Sequence, residues 1–367
     1  MNRLKAFLSY SAKHFRFSVF ALVMSWMSSA CLLGQDSGIE NRLNRALKRF
    51  PDADADKDGK LSIAEARQYL AKHPELKTTL GAKLDEGSDT KPDSLSSPSG
   101  TTGSADMPIG PRVFVCAHSF MIFTATLLPP MVEAAHIGYR DAGKQMIGGS
   151  RVIQHWDLPD EKNKAKEALR EGNVDVLTLS PHSLIPDEGI DNFVRLGIEK
   201  NPKLRVLIQA SWPARDGEAT NGFTNEKRNE LTEEGLRRMK ENHHATWVKS
   251  IEAQVNSLNT SIGHNAVAII PVCDAVFALR GHILKGTAPG LTKQTDLFRD
   301  PLGHPNPPLA ALVTYCHFSA IYQRTPVGLP VPASLKANPK ADELNLMLQQ
   351  LAWEAIRQYP MSGVKVD

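Results

Sequence analysis

The chain has 367 residues, 41% hydrophobic and 7% aromatic, ordinary proportions for a globular protein with room for one large domain and a small one. Its formal charge is +3, but four of the 43 basic residues (Arg3, Lys5, Lys13 and Arg16) stand in an acid-free amino terminus, so the other 39 face 40 acids. That near balance excludes the basic footprint of a nucleic-acid binder. Cys31, Cys116, Cys273 and Cys316 are too few for a disulfide framework; a pair between Cys273 and Cys316 after export and buried free thiols both stay open.

The amino-terminal cations precede an apolar run over 19–33, interrupted by Ser25, Ser28 and Ser29. At about 15 residues the run is short for a bilayer span, and it reads as a secretory signal over 1–34. Small residues at Ser28 and Ala30 offer cleavage before Cys31, and Gly34 offers a second place. Cys31 would carry a lipid anchor if the signal were of the lipoprotein kind, although Ser28 stands where such signals carry Leu or Val. The expectation is a protein without a membrane span, secreted or held in the periplasm or cell envelope.

Within 35–84, "DADKDGKLSIAE" sets carboxylates at Asp54, Asp56, Asp58 and Glu65 around Gly59. Oxygen ligands on alternate residues can wrap a hard cation, Gly permits the sharp turn, and a final Glu closes the shell with both oxygens. Lys60 would offer its backbone carbonyl and Leu61 would pack inward. Apolar residues at Ile39, Leu43, Ala46, Leu47 and Phe50 have helical spacing, and 63–73 supplies an exiting helix. The stretch resembles the EF-hand family over 39–73, which implies a structural Ca2+ site; one unpaired hand does not suit a sensor. Residues 85–110, rich in Ser, Gly, Pro, Asp and Thr, cannot bury enough surface to fold and read as a flexible linker.

From 111 to 367 the pattern alternates. Strand-like runs at 113–117, 151–154, 174–179, 204–210 and 266–272 are separated by helical patterns at 131–142, 161–170, 189–199 and 225–258, with further helices at 308–322 and 341–358. In the long pattern Trp247, Ile251, Val255 and Leu258 read as a core face. Such alternation predicts an α/β fold: a three-layer α/β/α sandwich on a mostly parallel five-stranded sheet.

Polar residues cluster where these strands end. The first run stops at "AHSFM", exposing Ser119 as a nucleophile candidate, while "GGSRVIQHW" brings Gly149 as an oxyanion donor, with His155 near the same edge. "LSPHS" places His182, "SWPARDG" places Trp212 and Arg215, and "LFRDPLGHPN" places Asp300 and His304. His243, His244 and His264 fit solvated surface, since no second ligand pair at zinc-like spacing accompanies them.

The order of these blocks resembles the SGNH (GDSL-like) hydrolase superfamily over about 111–330. The resemblance implies a flavodoxin-like sandwich and an esterase with Ser119 as nucleophile, His304 as general base and Asp300 as its orienter. It implies Gly149 beside the Ser119 N–H as oxyanion donors, with His182 standing in for the usual Asn. The family's Asp sits three residues before its His, whereas Asp300 sits four before His304. The first block also carries Ala117 and His118 in place of Gly and Asn; of the roles open to His118, hydrogen bonding to backbone suits a buried polar group. The expected substrate is an acyl ester, of a small molecule or a carbohydrate, with Trp212 as a contact. The rival expectation is an inactive binding or scaffold protein of the same fold.

Overall fold

A computed structural model describes residues 107–218 and 222–364, together with residues 51–62 and positions 47, 65 and 69. The expected signal, Cys31, most of the linker and the flanks of the acidic loop lie outside these residues. The chain divides into two units, Met1–Thr101 and Thr102–Asp367. Among the described residues no helix is long and apolar enough to cross a membrane.

The larger unit is an α/β sandwich on a five-stranded, all-parallel sheet. Its strands are β1 (Ile109–Ala117), β2 (Gly138–Met146), β3 (Val176–Leu179), β4 (Arg205–Gln209) and β5 (Val267–Ile270), in the order β2-β1-β3-β4-β5. This is the flavodoxin-like order. Side chains alternate along β1. Val113, Val115 and Ala117 enter one core, while Phe114 and Cys116 enter the other.

The first core is closed by α1 (Thr124–Ala134), α7 (Val272–Leu284), α8 (Pro307–Tyr322) and α9 (Ala341–Gln358). α8 is apolar nearly all round, and its residues from Ala311 to Ile321 are buried. The second core is closed by α3 (Lys164–Arg170), α4 (Glu188–Lys200) and α6 (Lys249–Ile262). Between them in sequence lie the short α2 (Val152–Trp156) and α5 (Glu233–His243). α5 runs into α6 through a π turn, His244–Val248.

Two sequence expectations are corrected here. The helical pattern over 131–142 breaks because His136 takes a left-handed φ of 54°, and the chain re-enters the sheet as β2. β2 escaped notice because it is an edge strand, mostly solvent-facing and polar, with a register break opposite Val113 and Phe114. Residues 151–154, read as a strand from Val152 and Ile153, instead begin α2. Asp187, from the loop before α4, decides this: its Oδ2 accepts from Val152 N–H at 2.8 Å and its Oδ1 from Ile153 N–H at 2.9 Å. A distant carboxylate thereby caps a helix that β-branched residues alone would not start. α7 was not expected from the pattern either; it follows directly on β5.

The buried Asp187 also accepts from Gly189 N–H at 3.0 Å, which draws the start of α4 onto α2. A Cβ at Gly189 would overlap the backbone of Val152 and Ile153. Helix propensity alone favours Ala over Gly by about 1 kcal/mol. Gly189→Ala is nevertheless expected to destabilise the larger unit by about 2–3 kcal/mol, through overpacking against backbone that cannot yield. Urea denaturation of the full chain followed by circular dichroism measures the sign.

Candidate active site

The strand order reverses direction between β1 and β3, and at such a point the loops leaving the two carboxyl ends part and open a crevice. His118 ties these loops together. Its N–H donates to Ser180 Oγ at 2.8 Å, its Nδ1 accepts from Phe120 N–H at 3.2 Å, and Nε2–H is left to donate to Pro181 O at 3.2 Å. Burial lowers its pKa to about 4, so the ring is a neutral brace, in the backbone-bonded role expected of it. Of the two polar residues that end this strand, one holds the turn and the other is presented.

Ser119 is half-buried at that edge. Its Oγ lies 2.9 Å from His304 Nε2, across 185 positions of sequence, and His304 Nδ1 lies 2.6 Å from Asp300 Oδ2. With Nδ1–H donating to Asp300, Nε2 is free to accept from the Ser119 hydroxyl. Burial acts to raise the Asp300 carboxyl, but hydrogen bonds from the His304 N–H, the His304 ring and the Gly303 N–H outweigh it. They hold the group below the usual carboxylate range. Asp300 therefore stays ionised and can stabilise a cationic His304.

The four-residue spacing is absorbed at Gly303, whose φ of +104° is open to glycine. A Cβ there would also press on Arg228 and Trp212 at 3.2 and 3.3 Å. Both side chains buttress the loop. Trp212 Nε1–H donates to Gly303 O at 3.0 Å, and Arg228 donates to Pro301 O at 2.6 Å. Phe120 stacks on Trp212, with ring centroids 4.8 Å apart and planes within 7°, and meets the His304 ring edge-on at 5.5 Å. Trp212 is 2% exposed, so its ring is committed to this packing and is not a free stacking surface. Arg228 and Phe120 were not singled out by sequence: Arg228 lies outside the polar strand-end motifs, and Phe120, within "AHSFM", carries no polar group.

Gly149 sits after β2 with φ +61°, beside the Ser119 cavity. Neither the Ser119 N–H nor the Gly149 N–H has an acceptor among the described residues, so both are available to a developing oxyanion. His155 was expected near the pocket; it is buried and works from behind. Its Nδ1 accepts from Gln145 at 3.2 Å, its Nε2–H donates to Ser150 Oγ at 2.8 Å, and Ser150 donates to Ile147 O at 3.0 Å, which braces the glycine loop. His182 is exposed on the cavity rim, its Nδ1 2.9 Å from Ser183 Oγ.

The cavity has a volume of about 390 Å³. His243, expected at the surface, is buried in its wall, with Nε2 2.9 Å from Ser211 O and its ring stacked on Trp247. Trp247, expected only in the core, is half-buried, lines the cavity and donates to His182 O at 3.0 Å. The π turn contains Trp247 and follows directly on His243, and no helical periodicity would reveal it. His264 is exposed, as expected.

Two groups of side chains among the described residues converge closely enough to be weighed against a metal ion's needs. In the loop of the smaller unit, carboxylate oxygens of Asp54, Asp56 and Asp58 lie within 4.8 Å of one another, and Asp54 Oδ1 is buried without a hydrogen-bond partner. Asp54 Oδ2 accepts from Gly59 N–H at 3.0 Å, Lys60 N–H donates to Asp58, and Leu61 is buried. The Glu65 carboxylate folds back to accept from Ala55, Asp56 and Ser62; the Ser62 hydroxyl contributes most to lowering its pKa to about 2. An orphaned oxygen among converging carboxylates fits a hard cation. His244, Cys273 and Asp274 also converge, but Lys240 Nζ already occupies Asp274 Oδ1 at 3.0 Å, and burial keeps the Cys273 thiol protonated. That group does not fit a metal. Cys116, Cys273 and Cys316 are all buried free thiols, so no pair joins the last two.

Burial holds His118 and His155 down to about 4 and His317, which bonds Gln209 at 2.8 Å, to about 3. Below pH ~6.5 the unfolded chain binds protons that these folded rings refuse, so stability is full above pH 6.5 and falls as the pH drops towards 4. Each refused proton costs about 1.4 kcal/mol per pH unit in that window. The urea midpoint is expected to fall steeply between pH 6.5 and 4, and to fall less steeply in His155→Gln.

No family model and no curated protein matches the sequence. Among solved structures, the chain is similar to a DUF4886 family protein from Bacteroides uniformis, with 17% identity and a TM-score of 0.46 over 68% of this chain and 95% of that one.

Proposed function

We propose that the larger unit is a serine hydrolase of the SGNH type that cleaves acyl esters, and that the protein carrying it is exported. The observation that supports this most is the row Ser119 Oγ, His304 Nε2, His304 Nδ1 and Asp300 Oδ2, with separations of 2.9 and 2.6 Å, beside two unengaged N–H groups. In this reading Ser119 Oγ attacks the ester carbonyl while His304 Nε2 takes its proton. The oxyanion accepts from the Ser119 and Gly149 N–H groups, with His182 on the rim as a further donor. The carbonyl re-forms as the bond to the alcohol breaks, and His304 returns the proton to the leaving oxygen. Water, deprotonated by the same imidazole, then releases the acid from Ser119. Asp300, held ionised, keeps the imidazole in the required tautomer.

The test is hydrolysis of 4-nitrophenyl acetate by the full chain, together with labelling by a fluorophosphonate. Ser119→Ala and His304→Ala should each lower kcat/KM by at least about 10³-fold, and Ser119→Ala should abolish labelling. Wild-type protein that neither turns over nor labels would leave the inactive binding-protein reading in place.

A second reading, carried by the orphaned Asp54 Oδ1, is that the 54–65 loop holds Ca2+ through Asp54, Asp56, Asp58, the Lys60 carbonyl and Glu65, as a structural site. When bound, the ion would supply charge neutralisation and order to the loop. Asp54→Ala is expected to weaken Ca2+ binding, read by calorimetry, while ester hydrolysis stays within about twofold. A large loss of turnover would contradict a purely structural site.

A further inference from the structure

The side chains around the Ser119 cavity are nearly all uncharged. Among the described residues, no Asp, Glu or Lys lines it. His118 and His243 are in its wall, and burial lowers the pKa of both, so near pH 7 they are neutral. Beyond Pro213 and Gly217, a neighbouring depression mixes Glu218 and Glu230 with Lys227 and Arg238. Among the described residues, Arg215 is the one Arg, Lys, Asp or Glu that lines the Ser119 cavity.

Arg215 is half-buried, and its guanidinium has no hydrogen bond or ion pair with any described residue. The nearest carboxylate in sequence is already engaged: Asp216 binds Arg228 and accepts two bonds from Arg280, at 3.0 and 2.6 Å. The other carboxylate of the site, Asp300, is held by His304. Backbone geometry maintains this division. Arg215 and Asp216 take consecutive left-handed φ values of 52° and 55°, and Arg215 N–H donates to Leu302 O at 3.1 Å. Such a conformation persists only where surrounding contacts over-determine it. Here it buries Asp216 under two guanidinium groups and leaves its neighbour lining the cavity. A half-desolvated guanidinium without a counterion, among neutral walls, presents a fork of donors that matches a carboxylate or sulfate.

We propose that Arg215 is a specificity residue that pairs with an anionic group, a carboxylate or sulfate, on the ester that Ser119 cleaves. This rests on the hydrolase reading above. The anion belongs either to the acyl part or to the alcohol part, and two substrate pairs separate the cases. For the acyl side, 4-nitrophenyl hemisuccinate is compared with 4-nitrophenyl butyrate. For the alcohol side, an O-acetylated hexuronic acid is compared with its methyl ester.

The wild type should favour the charged member of one pair by about 10- to 100-fold in kcat/KM. Arg215→Gln should erase that preference while changing the neutral member by less than about twofold; Arg215→Lys should retain part of it, and raised salt should diminish it. The Lys variant and the salt titration also keep the test open if the Gln variant folds poorly. A charged-to-neutral ratio that is the same in wild type and Arg215→Gln for both pairs overturns the proposal. Equal loss of both members also overturns it, because the residue would then act on the loop and not on the anion. Failure of the hydrolase reading looks different: no labelling of Ser119 and no turnover of any of the four esters, which removes this proposal with it.

Discussion

The buried Asp216 carboxylate is the contact on which the geometry of the site depends. Two guanidinium groups with no exposed surface, Arg228 and Arg280, converge on it, and Phe298 packs against both, 4.4 and 5.3 Å from its ring centroid. Arg228 carries the constraint outward to Pro301 O, and so to the turn that holds Asp300 and His304. Arg280 carries it into α7 and, through Gln294, into the segment before that turn. Burial lowers the Arg228 pKa to about 10, yet the group stays ionised at neutral pH. Removing one member of such a cluster leaves an uncompensated charge in the interior, which costs far more than a surface ion pair contributes. The cluster therefore specifies one loop conformation even where its net contribution to stability is small.

Histidine is used in two ways around the same crevice. His118, His155, His243 and His317 are buried, with pKa values lowered by burial, and each is tied to a backbone or side-chain partner. They fix the turn after β1 and the helices α2, α5 and α8 to neighbouring segments of the chain. His304 differs in having an ionised carboxylate on Nδ1 and a hydroxyl on Nε2. Burial thus disfavours charge on these four rings, whereas the ring of His304 faces an ionised carboxylate.

Legibility in sequence varied with how local each determinant was. Ser119, Asp300 and His304 stood out because a sheet of this class brings its strand-end loops to one edge, so polar motifs after apolar runs could be grouped without knowing any distance, whereas Gly149 was picked out by its Gly-Gly loop although the strand before it was not expected. The acidic loop was legible for the same reason, its ligand spacing being contained within 54–65. Trp212 and His155 were placed at the right edge, but their tasks were not legible. Whether an indole or imidazole faces a cavity or braces a loop depends on what packs behind it. Trp247 was misread because a π turn shifts the face of a helix without altering its composition, and His243 because its partner, Ser211 O, is 32 residues away.

By itself, the sequence determined the alternation of strands and helices, the continuous apolar run of β1, and the chemical types that gather at the carboxyl edge of the sheet. These follow from local propensity and from the period of apolar residues, both properties of a short stretch of chain. Only the tertiary structure decided that 138–146 is a strand and that Val152–Trp156 is a helix, because an edge strand needs little apolar surface and Asp187 caps the helix from 35 residues away. It alone decided that Asp216 turns inward and leaves Arg215 at the cavity without a side-chain partner among the described residues. Such outcomes depend on long-range pairing of buried charge and on packing against distant residues, which the spacing of residues along the chain does not encode.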